Sequence, residues 1–296
     1  MNKTIKKYGK NCMAAISKSS PVVGAYLLYI LRTHRIPNLK NPKNFNEKMT
    51  YLKLNDYATN DMVVKCADKY LVRNYVKEKG YEQILNTLYG VYDNADQINF
   101  NKLPEKFALK CTHGCKYNII CNDKLTFNAS ESRKKLNSWL SEKYGYATQE
   151  IHYTKIKPKI IAENNLCDEN NMLPIDYKLY CFDGEVKAIK VSTDREYKLK
   201  RNFFDKVWSE LEFGKKRYRN SIIPSKPRLL NDMIKIAEDL SLGFPFVRVD
   251  LYEVKDKIIF GELTFTPACC CSSELSRYGN DTLGSYLNIA INSRAK

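Results

Sequence analysis

Two short segments near the C-terminal end place acids and bases where they could act together. In Phe246-Val247-Arg248-Val249-Asp250-Leu251-Tyr252, strand alternation puts Arg248, Asp250 and Tyr252 on one face and Val247, Val249 and Leu251 on the other. In Phe260-Gly261-Glu262-Leu263-Thr264-Phe265, Glu262 and Thr264 share a face opposite Leu263 and Phe265. A turn centred on Asp256 sets Asp250 directly across from Glu262, and Arg248 across from Thr264. Two carboxylates facing each other on paired strands repel. A divalent cation between them relieves this, because hard oxygen ligands suit Mg²⁺. On a solvated outer face the repulsion is screened instead, and the hairpin alone leaves both readings open.

Other elements must hold these groups in place. Residues 61–80 read as one helix, with Val64, Tyr70, Leu71 and Tyr75 near helical spacing and Gly80 as its stop. Phe107 to Lys110 is a short strand, and CTHGCKYNIIC returns as a second one with Gly114 in the loop. Glu131 to Tyr144 and Leu229 to Leu240 read as helices, and Ile160 to Ala162 as a buried strand ending at Glu163. Tyr177 to Val191 alternates around Asp183-Gly184, a strong signal for a two-residue hairpin turn. Helices mixed with frequent hairpins give an α+β fold with mainly antiparallel sheets.

The composition bounds what such a fold can do. The chain has 296 residues, 44% of them hydrophobic and only 12 Gly and 10 Pro, so it builds a sizeable core and is not disordered or collagen-like. Pro21 to Leu31, the longest apolar run, is too short for a spanning helix. The N-terminal stretch shows no small-residue cleavage site, which argues against a cleaved signal peptide. Ten cysteines in a chain of this length are too dilute for a disulfide scaffold and read as reduced, cytosolic thiols. Three histidines, and no paired CxxC motifs, leave no zinc site; Cys111-Thr112-His113-Gly114-Cys115 reads as structural.

The net charge is +16, unevenly spread. Residues 1–60 hold 11 Lys/Arg against 2 Asp/Glu, whereas residues 225–296 hold 9 of each. Such an excess attracts nucleic acid, an anionic bilayer or a polyanionic substrate. Helix-turn-helix, zinc-finger and RNP signatures are missing, so nucleic acid is not the expected partner. Lys3, Lys6, Lys7, Lys10, Arg32 and Arg35 flank the apolar stretch around Val22–Leu31, which suits either an interfacial helix or a helix docked on the core.

Taken in order, the segments NFNEKMTYLKL, CADKYLVRNYV, FALKCTHGCKYNII, PKIIAENNL, DYKLYCFDGEVKAI and GELTFTP resemble the TupA-like branch of the ATP-grasp fold, over roughly residues 44–270. That branch is named for teichuronopeptide synthesis and is common in bacterial surface-polysaccharide clusters. The resemblance implies two α+β lobes clamping ATP, over residues 61–160 and 161–296, beside a basic helical segment at 1–60. Lys69 and Lys110 would neutralise nucleotide phosphates. The Thr112–Tyr117 loop, with Thr112, His113 and Gly114, would close over the triphosphate through its backbone N–H groups. Glu163, with Asn164 and Leu166, would lie against the adenine, and Asp176, with Lys178, would meet the ribose. Asp250, Glu262 and Thr264 would hold Mg²⁺, and Arg248, together with Lys110, would stabilise the transferring phosphoryl group. Thr264 replaces the Asn usual in ATP-grasp proteins. Pro267-Ala268-Cys269-Cys270-Cys271 replaces a glycine-containing stretch.

The implied reaction is carboxylate–amine ligation through an acyl phosphate, with ATP and Mg²⁺. A uronic acid or amino acid would supply the carboxylate, and an amino acid or amino sugar the amine. The implied site of action is the cytoplasm, in contact with an acidic glycan and with the inner face of the membrane. A capsule or lipopolysaccharide glycosyltransferase is the competing enzyme, but it would typically need a DxD motif that this chain lacks.

Overall fold

The computed structural model describes residues 3–193 and 200–290, and the side chains of residues 8, 9 and 11 onward within them. Lys3, Lys6, Lys7 and Lys10 therefore lie outside the described side chains. Three helices open the chain: α1 (Lys3–Ser19), α2 (Pro21–Thr33) and α3 (Phe45–Asn55). Ser20 caps α2 ahead of Pro21, which has no N–H to leave unpaired. Asn44 and Glu47 form a reciprocal capping box that starts α3. The helix expected over 61–80 is two short ones, α4 (Asp61–Ala67) and α5 (Val72–Glu78). Asp68 breaks it: its extended backbone leaves the helix while its carboxylate accepts the N–H groups of Tyr70 and Leu71 at 2.7 and 3.1 Å. Gly80 does end α5, in the left-handed region at φ 84°.

A four-stranded antiparallel sheet follows from β1 (Leu88–Tyr92), β2 (Phe107–Cys111), β3 (Asn118–Cys121) and, after α6 (Ala129–Ser141), β4 (Ile160–Asn164), in the order β1-β4-β2-β3. Phe107, Leu109, Cys111, Ile160 and Ala162 point into a small core with Phe100 and Leu136. The opposite face carries Ala108, Lys110, Ile161 and Glu163.

A six-stranded antiparallel sheet comprises β5 (Asp176–Phe182), β6 (Glu185–Thr193), β7 (Lys200–Phe204), β8 (Glu210–Leu211), β9 (Phe246–Val254) and β10 (Lys257–Thr264), in the order β10-β9-β5-β6-β7-β8. Asp183 and Gly184, at φ 48° and 86°, make the expected two-residue turn between β5 and β6. Helix α7 (Leu230–Ser241) lies on one face, where the Cys181 thiol reaches the Ala237 carbonyl. The other face carries Tyr180, Lys178, Arg248 and Asp250 in register. One end of it is closed by α3, where Phe45 meets the rings of Tyr180, Phe182 and Phe246 at centroid distances of 6.2, 5.9 and 5.1 Å. Helix α8 (Arg277–Tyr286) then packs on α3, with Gly284 against the backbone of Lys43–Phe45. Strands β1, β7 and β8 and helix α8 add to the elements read from the sequence.

Phe45 is 2% exposed and joins α3 to three strand aromatics. Phe45→Ala is expected to cost about 3–5 kcal/mol, read as a lowered urea midpoint with an unchanged slope.

Candidate functional site

The β9–β10 hairpin turns on two residues, Lys255 and Asp256, both left-handed at φ 48° and 61°. An unbroken register from that turn would set Asp250 opposite Gly261 and send Glu262 to the reverse face. A bulge between Phe260 and Glu262 shifts the pairing by one residue, so Glu262 does face Asp250, and Thr264 faces Arg248. Gly261 makes the bulge possible: a Cβ there would lie 2.9 Å from the Asp250 carbonyl and 3.0 Å from the Tyr252 ring.

This face is not a solvated outer surface. Asp250 is 2% and Arg248 8% exposed. The repulsion between the acids is relieved by bound side-chain cations. Arg248 Nε and Nη2 donate to the two oxygens of Asp250, each at 2.6 Å, in a bidentate fork. The same Nη2 reaches Thr264 Oγ1 at 2.9 Å and Glu262 Oε1 at 3.3 Å. Thr264 donates to Glu262 at 2.8 Å, and Lys178 donates to Asp250 at 2.6 Å and to Asp176. Burial pushes the Asp250 carboxyl up, but Arg248 and Lys178 more than offset it and hold it below the usual carboxylate value. Lys190, beside Lys178 in the same row of the sheet, is pushed down to about 8, chiefly by burial.

A second cluster forms on the small sheet. Glu163 is 6% exposed and lies between Lys110 Nζ at 2.8 Å and Arg73 Nη1 at 3.1 Å. Its neighbour Asn164 accepts from Asn86 through its carbonyl at 2.8 Å and from the Tyr89 hydroxyl through its side chain at 3.1 Å, and Leu166 is half-buried just beyond.

The loop of residues 112–117 joins the two clusters. Lys69 stands in the α4–α5 turn rather than on a helix, and there its ammonium reaches the Gly114 carbonyl at 2.5 Å. The side chains of Thr112 and His113 point inward: Thr112 accepts the Lys159 N–H at 3.2 Å, and His113 Nε2 sits 3.0 Å from the Trp139 carbonyl. Burial lowers the His113 imidazole below its usual value. Gly114 is pressed against the rings of Tyr144 and Tyr117. Among the described residues, no hydrogen bond takes up the backbone N–H of His113, Gly114, Cys115 or Lys116. Cys115 reaches toward the large sheet, where burial and then the charge of Glu262 raise its thiol.

Sequence reasoning passed over Arg73, although it lies four residues after Lys69 in ADKYLVR. No motif or periodicity marks Glu150 and Thr266, which meet at 2.6 Å beyond the end of β10. Among the described residues, no group of three or more His, Cys, Asp or Glu side chains is arranged to hold a metal ion. The donors at the hairpin, two carboxylates and a hydroxyl, fit Mg²⁺ in kind. Glu262, with a side chain 36% exposed, is the accessible one, whereas both Asp250 oxygens already bind cations.

The sequence over residues 47–288 matches the family described as TupA-like ATPgrasp. No curated protein is found that matches the chain. Among solved structures, the fold is similar to D-alanine–D-alanine ligase from Bacillus anthracis complexed with ATP, at 12% identity, over 68% of this chain and 55% of that one, with a TM-score of 0.40. It is similar to the corresponding ligase from Helicobacter pylori at 11% identity, over 83% and 67%, with a TM-score of 0.42. The ATP-grasp ligase PsnB complexed with minimal precursor gives 12% identity, 71% and 54%, and a TM-score of 0.37. The chain thus spans little more than half the length of the Bacillus ligase and of PsnB.

Asp250 titrates lower in the folded chain than its unfolded value of about 4, so its stabilisation is present above that pH and fades as pH falls through the folded value. Lys178→Met removes one of the two cations and should move that acid loss to higher pH. Urea midpoints measured from about pH 6 to pH 2.5 check this; superimposable profiles would contradict it.

Proposed function

The chain belongs to the TupA-like ATP-grasp family, and from that premise we propose that it is an ATP-dependent carboxylate–amine ligase acting through an acyl phosphate. The observation that carries the reading is the loop of residues 113–116, with four untaken amides, Lys69 at its side and Cys115 turned toward the Arg248–Asp250–Glu262 hairpin. That is a phosphate seat next to an acid–base cluster.

In this reading the lobe built on the four-stranded sheet and the lobe built on the six-stranded sheet enclose the nucleotide. The amides, Lys69 and Lys110 take the phosphates. The adenine rests beside Glu163, Asn164 and Leu166, with Glu163 fixed by Arg73 when Lys110 turns to phosphate. Asp176 and Lys178 stand at the ribose end of the row. Asp250 and Glu262, with Thr264 beside them, would hold Mg²⁺, which when bound supplies positive charge to the phosphate oxygens. Arg248, buried and already positioned by Asp250 and Thr264, stabilises charge on the transferring phosphoryl group without reorganising. A substrate carboxylate oxygen bonds to the γ-phosphorus and ADP leaves. The neutral amine nitrogen then bonds to the acyl carbon, phosphate departs with the electron pair of the broken C–O bond, and the proton lost from the nitrogen goes to the departing phosphate.

The substrates fit bacterial surface-polysaccharide synthesis: a uronic-acid or amino-acid carboxylate and the amine of an amino acid or amino sugar. Among the described residues, no helix is long and apolar enough to cross a membrane. Helix α2 buries Ala25, Leu28 and Tyr29, yet leaves Val22, Val23 and Leu31 at least half exposed. With the basic residues around it, this face suits reversible contact with an anionic inner leaflet.

Lys110→Ala should weaken Mg-ATP binding about tenfold or more in calorimetry, the loss of one phosphate contact; equal affinity, or no binding by wild type, would sink the assignment. ADP release screened against paired carboxylates and amines identifies the substrates. Glu262→Gln should abolish that turnover with an unchanged or raised melting temperature, since it removes one of two facing carboxylates. Vesicles containing phosphatidylglycerol should sediment the protein at low salt and release it at high salt. Equal, negligible binding to neutral and anionic vesicles would leave α2 as a docked helix only.

A further inference from the structure

Four buried polar atoms with no hydrogen-bond partner among the described residues fall within four consecutive positions: Gln149 Oε1, Glu150 Oε2 and both ring nitrogens of His152. The segment is wedged against three elements. Gln149, left-handed at φ 52°, donates to Ser17 of α1 at 2.7 Å, and Thr266 beyond β10 donates to Glu150 Oε1 at 2.6 Å. On the third side Lys53 of α3, fully buried, donates to the carbonyls of Thr148 and Cys269 at 3.1 and 2.9 Å. Two of its three N–H groups are committed there, and it forms no ion pair with Glu150 among the described residues. His152 stays neutral, since burial and then Lys53 push it down to about 3. Glu150 is therefore a 3%-exposed carboxylate with one neutral donor and one bare oxygen. A buried acceptor left unmade costs more than an ordinary hydrogen bond returns, and an unpaired buried charge costs more still.

Its position points to what completes it. Residues 262, 264 and 266 alternate along the end of β10, and hydrogen bonds link Arg248, Thr264 and Glu262 on one side and Thr266 and Glu150 on the other. Cys115, from the 112–117 loop, packs against the core of the large sheet, and its thiol is raised by burial most, then by Glu262, then by Glu150. Its sulfur is 3.8 Å from the Tyr153 hydroxyl, and Tyr144 is a further neighbour. Glu150 thus has a thiol and phenols as neighbours on one side and the buried Lys53 ammonium, which makes no ion pair with it among the described residues, on the other.

We infer that Glu150 is the binding residue for the amine substrate, which it receives as an ammonium group between Thr266 and the Cys115 loop. This rests on the ligase reading for the identity of the amine, while the site itself rests on the orphaned carboxylate. An ammonium supplies the missing donor for Oε2, and it holds the nitrogen on the side of the segment that faces Thr266 and β10.

Methylammonium chloride is the probe, with tetramethylammonium chloride at equal concentration as a cation of the same charge that cannot donate. At about 50 mM the first should raise the melting temperature of wild-type protein by about 1–3 °C over the second. Glu150→Gln should abolish that difference, melt at or above the wild-type temperature without amine, and bind Mg-ATP with wild-type affinity. Equal shifts for the two cations in wild type overturn the site whether or not the variant folds. A marked fall in the variant's melting temperature also overturns it, since it would mark Glu150 as a structural acid balanced through water by Lys53. Failure of wild type to bind Mg-ATP would remove the ligase reading while leaving the methylammonium comparison valid.

Discussion

The structure turns on burying Asp250 opposite a second carboxylate, the more exposed Glu262, and neutralising it from within the same sheet. Water screens Asp250 little, so an arginine and a lysine from neighbouring positions must lie against it. Arg248 serves because its planar fork bonds both Asp250 oxygens and still reaches Thr264. Removing either sign would leave the other buried and alone, a costlier state than the intact pair. Each charged residue in the row therefore holds its neighbour by hydrogen bonds.

Coupling between the two sheets runs through few residues. The break at Asp68 turns what would be one helix into two and frees Lys69 to hold the Gly114 carbonyl. The following helix then presents Arg73 to Glu163 on the small sheet. One segment, ADKYLVR, thus anchors both the loop and the strand of the small sheet while its apolar residues sit in the large core. The 112–117 loop is gripped at its ends, through Thr112 and Lys159 and through Cys111 and Tyr117, while its middle amides stay free.

The short stretch from Pro267 to Cys271 shows how local strain is held in place. Ala268, Cys269 and Cys270 all adopt positive φ, between 52° and 65°, which costs non-glycine residues roughly 1 kcal/mol or more each. The surroundings fix it: the Cys269 carbonyl accepts from the buried Lys53, and Cys271 packs with Leu28 and Tyr29 of α2. The basic N-terminal helices are in this way tied to the end of the β10 strand.

What the sequence determined was the part governed by short-range periodicity. Alternation assigned Arg248, Asp250, Glu262 and Thr264 to common faces, Asp183-Gly184 marked its turn, and the antiparallel α+β class followed from the hairpins. The order of motifs pointed to the family. What it left to the tertiary structure depended on contacts between distant residues. The facing of Asp250 and Glu262 was expected from a turn centred on Asp256, whereas the actual turn has two residues and the register is restored by the bulge at Gly261. A one-residue slip of that kind inverts a face, and only the close approach of the Asp250 backbone selects it. Burial decided the rest. Sequence alone could not choose between a screened outer face and a neutralised inner one, because that depends on α3 and the 112–117 loop lying over the sheet. Glu150 and Arg73 escaped for the same reason: each takes its meaning from partners more than 80 residues away.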